Sequence, residues 1–289
     1  MTPRRFDLQG HRGARGLAPE NTLPAFRRAL DLGVTTLELD LGVSADAVLV
    51  VSHDPWMSPV FCAHPDGRPV EAEEARALRL FAMPYAEIAR FDCGLRPNPA
   101  FPRQRPEAAA KPRLSDVFAF AEDHARRTGR PLPFYNVETK SWPEGDGVLH
   151  PDPERFVDLV RAEVERAGVA ERFTLQSFDV RTLQAAQRCG LPVRLSLLVE
   201  YDGSGREVEA ARARLGFVPD VLSPNARLVD ADLVARAHGE GMAVIPWTVN
   251  EPDAMRALVA LGVDGLITDV PDVAREALGL EPQTGLQTT

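Results

Sequence analysis

Carboxylate side chains gather in this 289-residue sequence where apolar, strand-like runs occur. Glu38 and Asp40 are two residues apart in one run, so both side chains point to the same face of a strand. Glu138 adds a third carboxylate from the next run of the predicted barrel. Such groups repel each other unless a cation or a proton lies between them. Salt bridges to arginines are one interpretation, but three oxygen ligands without cysteine favour a site for Mg²⁺, Ca²⁺ or Mn²⁺.

Two histidines are predicted to lie beside these carboxylates. His11 follows the first strand-like run, and His53 follows a short run that we expect to form a hairpin with the strand of Glu38. A turn at Ala45 and Asp46 pairs residues whose numbers sum to about 91, which places His53 opposite Glu38. Imidazoles titrate near neutral pH, so the pair could serve as general base and general acid on a phosphate. A structural hydrogen-bonding role is the alternative for either histidine alone.

Other candidates for substrate contacts also end strand-like runs. The sequence contains 33 basic residues, of which only Lys111 and Lys140 are lysines, so each lysine is a rare choice. We expect the Lys140 ammonium and the planar guanidinium of Arg12 to bind a phosphate, although Arg12 could also be solvated. Trp247 and Phe178 could form an apolar wall for the carbon skeleton of a substrate, with plain core packing as the alternative.

Short apolar runs alternate with amphipathic segments, which is typical of repeated βα units with a parallel sheet. The predicted strands are Phe6–Gly10, Thr36–Leu41, Phe134–Thr139, Phe173–Phe178, Val193–Val199, Val221–Ser223, Ala243–Val249 and Gly265–Thr268. The predicted helices begin at Leu23 and otherwise span Leu114–Arg127, Pro153–Ala167, Val180–Arg188, Arg206–Leu215, Ala231–Glu240, Pro252–Leu261 and Pro271–Leu278. This alternation predicts an α/β fold, a (β/α)₈ TIM barrel, with its active site at the carboxyl ends of the strands.

Two segments depart from the alternation. Val48–Ser52 is an additional strand-like run, too close to the second strand for a parallel crossover. The stretch from about Pro55 to Pro112 is rich in proline, arginine and glycine, and we interpret it as an insertion on the catalytic face. It is predicted to contain one short helix near Ala72–Leu80. We therefore predict one barrel domain over residues 1–280 and a polar tail over 281–289.

The bulk composition limits the partners. A net charge of −9 argues against nucleic acid, because binding to a phosphate backbone needs surplus Lys and Arg. The sequence has no apolar run long enough for a membrane helix or a signal peptide. In this form the sequence favours a cytoplasmic protein. Export remains the alternative if a leader has been removed. Cys62 and Cys93 could pair, but an odd cysteine count without an export signal favours free thiols.

The ordered motifs resemble those of the glycerophosphodiester phosphodiesterase family over nearly the whole predicted barrel. They are His11-Arg12-Gly13, Pro19-Glu20-Asn21-Thr22-Leu23-Pro24-Ala25-Phe26, Glu38-Leu39-Asp40, Ser52-His53-Asp54, Asn136-Val137-Glu138-Thr139-Lys140, Gln176-Ser177-Phe178, Trp247-Thr248-Val249-Asn250 and Asp264-Gly265-Leu266-Ile267-Thr268-Asp269. In the hairpin turn, Ala47 stands where many members carry glycine.

This resemblance implies cleavage of glycerophosphodiesters, such as glycerophosphocholine, to glycerol 3-phosphate and an alcohol. It also implies a divalent cation held by Glu38, Asp40 and Glu138, and a general base and acid in His11 and His53. Arg12 and Lys140 would hold the phosphate, and Trp247 would contact the organic part. The alternatives are a phospholipase D-like lipid hydrolase and a non-catalytic barrel that binds phosphorylated ligands. We expect the insertion to shape the preference for the leaving alcohol without carrying the chemistry.

Overall fold

A computed structural model describes residues 6–280, in which eight parallel strands and alternating helices form a nearly closed barrel. The strands are β1 (Asp7–Gly10), β2 (Thr36–Val43), β3 (Leu49–Val51), β4 (Phe134–Thr139), β5 (Phe173–Ser177), β6 (Arg194–Val199), β7 (Val221–Pro224), β8 (Ala243–Val244) and β9 (Gly265–Thr268). Hydrogen-bonded neighbours follow the order β8-β7-β6-β5-β4-β2-β1-β9, and β3 pairs with β2 outside this path. The predicted TIM barrel is confirmed.

Single main-chain hydrogen bonds join the two ends of the sheet beside β8 and β9, where no regular ladder forms. The Asp264 amide donates to the Val244 carbonyl at 2.9 Å, and the Ile267 amide donates to the Pro246 carbonyl at 3.0 Å. The prediction of a strand as far as Val249 is wrong, because β8 ends at Val244. Pro246 has no N–H to donate and therefore interrupts the ladder.

Two one-turn helices, α2 (Ala72–Ala75) and α3 (Tyr85–Ile88), lie in the insertion. The other helices lie on the outside of the barrel and pack their apolar faces on the strands. They are α1 (Leu23–Asp31), α4 (Leu114–Thr128), α5 (Pro153–Ala167), α6 (Val180–Arg188), α7 (Glu207–Leu215), α8 (Ala231–Gly239), α9 (Pro252–Ala260) and α10 (Pro271–Leu278). The Thr22 side chain caps α1 by accepting from the Ala25 amide at 3.4 Å. Gly168 ends α5 with a left-handed φ of 66°.

The β2–β3 hairpin has a three-residue loop, whereas the prediction assumed a two-residue turn. The Ser44 amide donates to the Val48 carbonyl at 3.0 Å, which closes the loop. Ala47, the last residue of this loop, has a φ of 61° in the left-handed region that glycine usually occupies. The extra residue shifts the register of the hairpin by one position.

As a result, the prediction that His53 lies opposite Glu38 is wrong. The Ser52 amide donates to the Asp40 carbonyl at 2.9 Å, so Ser52 is the residue next to Asp40 across the hairpin. His53 follows after β3 has ended, in a turn rather than in the ladder.

The insertion has a hydrophobic core of its own and contains two one-turn helices, α2 and α3, where one was predicted. Cys62 and Cys93 are joined by a disulfide in this core, so the prediction of free thiols is wrong for this pair. Ala63 and Asp92 exchange two main-chain hydrogen bonds, of 2.7 and 3.1 Å, which brings the neighbouring cysteines to a Cα–Cα distance of 4.0 Å. Cys189 is free and exposed.

The insertion packs against the loop that follows β1. The Gln104 amide side chain donates to the Arg15 carbonyl at 2.6 Å, and the Arg15 guanidinium lies 4.8 Å from the centre of the Phe101 ring. The division into a barrel over residues 1–280 and a polar tail remains a prediction, because 281–289 lie outside the described residues. Within residues 6–280, no helix has the length and apolar character needed to cross a membrane.

Candidate active site

Glu38, Asp40 and Glu138 meet at the carboxyl ends of two adjacent strands. The parallel register of β2 and β4 pairs Asp40 with Glu138, and Glu38 projects from the same face of β2 as Asp40. One carboxylate oxygen from each residue lies within 4.8 Å of the other two. All three residues are buried. The carboxylates predicted to form a metal site are thus brought together.

The electrostatics of this cluster suit a divalent cation. Burial, with the charge of Asp40 beside it, raises the pKa of Glu38 well above its usual range. Burial also raises the pKa of Glu138, against the nearby charge of Lys140. Burial would raise the pKa of Asp40 too, but the charges of neighbouring cations, Arg12 first, hold that pKa well below its usual range. Arg12 and Lys140 supply two positive charges beside three buried carboxylates, and Arg12 is shared with Glu20. An oxygen-only cluster that is short of positive charge fits Mg²⁺, Ca²⁺ or Mn²⁺.

Hydrogen bonds from neighbouring strands and loops fix these carboxylates. The two oxygens of Glu38 accept from the Gln176 side chain at 2.7 Å and from the Arg12 amide at 2.9 Å. One oxygen of Asp40 accepts from the Asn21 side chain at 2.8 Å and lies 3.2 Å from Arg12 Nε. The carboxylates are therefore held in defined orientations, which a metal site requires.

His11 lies beside the cluster and is bound to a carboxylate on its far side. Its Nδ1 is 2.6 Å from Asp269 Oδ1, and its Nε2 is 3.9 Å from Glu38 Oε2. Burial, together with the charge of Arg15, lowers the pKa of His11 to about 4. The ring is therefore neutral at pH 7. A neutral ring whose Nδ1–H donates to Asp269 presents an unprotonated Nε2 to the pocket.

His53 lines the same pocket from the turn after β3. Its Nδ1 lies 3.0 Å from Asp54 Oδ1, and its side chain is 36% exposed, compared with 12% for His11. The two histidines therefore differ in environment, since one is enclosed and the other is open to solvent.

Two cations border the carboxylate cluster. Lys140 Nζ lies 2.8 Å from Glu138 Oε1 and 3.9 Å from Asp40 Oδ1. The Arg12 side chain donates to Glu20 at 2.7 Å, its φ of 49° is left-handed, and its amide donates to Glu38. Both side chains line the pocket, and their binding to phosphate stays a prediction.

Phe178 and Trp247 also line this pocket, which has a volume of about 200 Å³. Their rings pack edge to face with centroids 5.4 Å apart, and Trp247 Nε1 donates to the Ser223 carbonyl at 2.8 Å. The aromatic pair forms an apolar wall of the pocket, whereas the histidines, carboxylates and cations described above form a charged wall. A larger cavity of about 290 Å³ at the amino-terminal end of the barrel contains none of the site residues.

Several contacting residues had no predicted role. Asn21, Asp269 and Gln176 bind the predicted site residues directly, and Arg15 lines the pocket. Asp269 could have been found, because it follows β9 at the same barrel end as the other polar motifs. Asn21 and Arg15 lie inside an irregular loop, where the sequence carries no periodicity that would orient a side chain.

The sequence model of the Glycerophosphoryl diester phosphodiesterase family matches residues 11–273, which include every residue of this site. The chain belongs to this family. It is 28% identical over 262 residues to the glycerophosphodiester phosphodiesterase of Caldanaerobacter subterraneus subsp. tengcongensis, covering 91% of this chain and 93% of that protein. A glycerophosphodiester phosphodiesterase from Bacillus altitudinis is 25% identical, with coverage of 91% and 94%.

Solved structures agree with this assignment. A candidate glycerophosphoryl diester phosphodiesterase from Silicibacter pomeroyi superposes with a TM-score of 0.84 at 30% identity, covering 96% of this chain and 94% of that one. A phosphodiesterase from Oleispira antarctica, solved with sn-glycerol-3-phosphate, has a TM-score of 0.72 at 20% identity, with coverage of 94% and 96%. At that identity the second comparison supports the fold alone.

Proposed function

We propose that this protein hydrolyses glycerophosphodiesters to glycerol 3-phosphate and an alcohol in a divalent-metal-dependent reaction. The observation that carries the proposal is the placement of the buried three-carboxylate cluster between two histidines and two cations in one pocket. A phosphodiester is an anion with a poor leaving group, so it needs both positive charge and proton transfer. This pocket offers groups for each.

Glu38, Asp40 and Glu138 would hold the cation, which is Mg²⁺, Ca²⁺ or Mn²⁺ by the chemistry of its oxygen ligands. When bound, such a cation neutralises phosphate charge and polarises the phosphorus–oxygen bonds. Arg12 and Lys140 would hold the remaining phosphate oxygens. The Lys140 ammonium has three N–H donors and uses one on Glu138, which leaves donors for the substrate.

His11 is assigned as the general base and His53 as the general acid. A base must be unprotonated before it acts, and the lowered pKa of His11 keeps that ring neutral. The more exposed His53 can exchange its proton with solvent between turnovers. His11 would take the proton of the attacking hydroxyl, from water or from the neighbouring glycerol oxygen, and His53 would protonate the departing alkoxide. Trp247 and Phe178 would contact the carbon skeleton.

The pocket also bears on the rival functions. A phospholipase D-like enzyme needs an apolar groove for an acyl chain, whereas this pocket has only one apolar wall. A binding protein would not need two histidines poised for proton transfer.

The proposed activity and the lipid-hydrolase rival differ in their substrates. Glycerophosphocholine and lysophosphatidylcholine should therefore be supplied in parallel and the phosphorylated products identified by mass spectrometry. We expect glycerol 3-phosphate from the first substrate and little turnover of the second. Efficient release of lysophosphatidic acid would favour the lipid hydrolase.

The Cys62–Cys93 disulfide is relevant to the cellular compartment in which the protein is located. Disulfides persist in oxidising compartments and are rare in the reducing cytoplasm. The Cys62–Cys93 bond therefore supports export over the cytoplasmic expectation. Alkylation of free thiols in intact cells, followed by peptide analysis, tests this. A disulfide-bonded pair is expected, and two alkylated cysteines would support the cytoplasmic alternative.

A further inference from the structure

Lys111 is a buried lysine at the end of the insertion that the proposed reaction does not use. Its side chain is almost fully enclosed, with the residue 5% exposed, and its Nζ lies 5.8 Å from the centre of the Phe61 ring. Nζ donates to Ser52 Oγ at 2.7 Å. Burying an ammonium is unfavourable unless neighbouring groups compensate for the lost water. Ser52 and the nearby carboxylate of Asp54 supply part of that compensation for Lys111.

Ser52 links Lys111 to the turn that carries His53. The Ser52 hydroxyl accepts from Lys111 and donates to the Asp54 carbonyl at 2.7 Å. The second of these bonds spans the turn from Ser52 to Asp54, with His53 between them, and the first ties Lys111 to the start of the turn. Ser52 is itself 1% exposed, so water competes poorly for either bond. The turn is thus fixed from its buried side by the lysine.

The charge of Lys111 acts on the same turn through Asp54. Burial alone would raise the pKa of Asp54, but its hydrogen bond with His53 and the charge of Lys111 outweigh burial and lower that pKa. An ionised Asp54 can only accept a hydrogen bond, so the proton of a neutral His53 ring lies on Nδ1. Nε2 is then the nitrogen left to face the pocket.

We propose that Lys111 is a positioning residue for His53, and that the insertion reaches the reaction through it. This inference rests on the proposed function only in taking His53 as a proton-transfer group. It also changes the expectation that the insertion carries no part of the chemistry, since Lys111 lies within that segment.

The test uses the full chain with Lys111→Met, which keeps the length of the side chain and removes its charge. Arg96→Met is the matched control, because Arg96 donates to the carbonyls of Pro59 and Cys62 within the insertion. We expect Lys111→Met to lower kcat by about 10- to 100-fold with little change in KM, the range that removal of a group orienting a metal ligand produces. The loss should be larger for an alcohol leaving group than for nitrophenolate, because nitrophenolate departs well without the proton that His53 would supply.

Histidine ¹⁵N spectra give a readout that does not depend on turnover. At a pH where the rings are neutral, the His53 signals, assigned by their loss in His53→Gln, should show an Nδ1–H tautomer in the wild type. In Lys111→Met they should shift toward a mixture of tautomers, and in Arg96→Met they should not. If Lys111→Met fails to fold, Ser52→Ala removes the acceptor while keeping the lysine, and the same changes are expected.

The proposal is overturned if the variant keeps the wild-type tautomer and loses no more kcat than Arg96→Met. It is also overturned if both leaving groups are slowed equally. An inactive wild type would instead refute the proposed function, and the ¹⁵N comparison would still decide the role of Lys111.

Discussion

At the scale of single residues, the pocket gives its two histidines different surroundings. Asp269 and Arg15 enclose His11, whereas His53 stands at the pocket edge with Asp54 behind it. If the two imidazole rings had equivalent surroundings, either one could act as the base or as the acid. The asymmetry therefore supports a division of labour in which each histidine handles one proton.

His11→Ala and His53→Ala should fail differently on substrates with different leaving groups. An alcohol leaves with difficulty and needs a proton, whereas nitrophenolate departs well without one. Each variant should lose at least about 10²-fold on glycerophosphocholine. His53→Ala should recover much of its rate on a nitrophenyl phosphodiester, and His11→Ala should stay slow on both. Equal losses on both substrates, with metal binding intact, would make the pair phosphate-positioning residues instead.

The environment of His11 also predicts a pH effect. Burial comes first among the causes that lower its pKa to about 4, and the charge of Arg15 comes second. Because the folded pKa lies below the unfolded value of about 6.5, the stability contribution of His11 is complete above that pH and is lost as the pH falls toward 4.

Removing the Arg15 charge should therefore raise the pKa of His11. In Arg15→Met the acid limb of the kcat/KM profile, which reports the free enzyme, should move to higher pH, because the base becomes protonated at a higher pH. Arg27→Met is the control, since Arg27 is an exposed arginine paired with Glu107 on the protein surface. An acid limb that stays in place in both variants would show that Arg15 does not tune the base.

At the scale of elements, the sequence predicted what depends on local periodicity. The bounds of α5, α6 and α10 agree with prediction, because each has an apolar stripe and a clear capping or stop residue. The carboxylate cluster was predictable too, since strand alternation alone puts Glu38 and Asp40 on one face. The hairpin register was not, because it depends on whether Ala47 enters the left-handed region.

The fold of the insertion could not be predicted from local periodicity. Its fold depends on contacts distant in sequence, such as the pairing of Ala63 with Asp92 that sets the disulfide. Lys111 was visible in the sequence as a rare residue, but nothing local indicated its contact with Ser52.

The disulfide should hold the insertion together without being required by the barrel. Replacing both Cys62 and Cys93 by Ala should remove about 2–4 kcal/mol of stability and make residues 63–92 sensitive to protease. Thermal unfolding and mass spectrometry of limited digests measure these effects. Cys189→Ala is the control, because that thiol is free and exposed. Equal protease resistance in both variants would show that the core of the insertion is sufficient alone.

At the scale of the whole molecule, the barrel brings residues far apart in sequence to one end. Side chains from residue 11 to residue 269 reach the same site because the carboxyl ends of parallel strands converge. The protein carries a net charge of −9, yet its pocket must bind an anion. Local positive charge, which we propose comes from the cation and two basic side chains, therefore has to outweigh the overall field.

The carboxylate cluster should couple metal binding to both activity and stability. Replacing Glu38, Asp40 or Glu138 by Ala should abolish turnover and the thermal stabilisation that added metal produces, because the three groups together form the proposed cation site. Glu200→Gln removes a pocket-lining carboxylate outside the cluster and should keep the metal-dependent stabilisation.

The most direct measurement is a metal titration of EDTA-treated wild-type protein, with release of glycerol 3-phosphate from glycerophosphocholine as the readout. We expect no activity without metal and a return of activity that levels off at one bound ion of Mg²⁺, Ca²⁺ or Mn²⁺ per chain. Near-normal release of glycerol 3-phosphate from the EDTA-treated protein would contradict the metal-dependent mechanism.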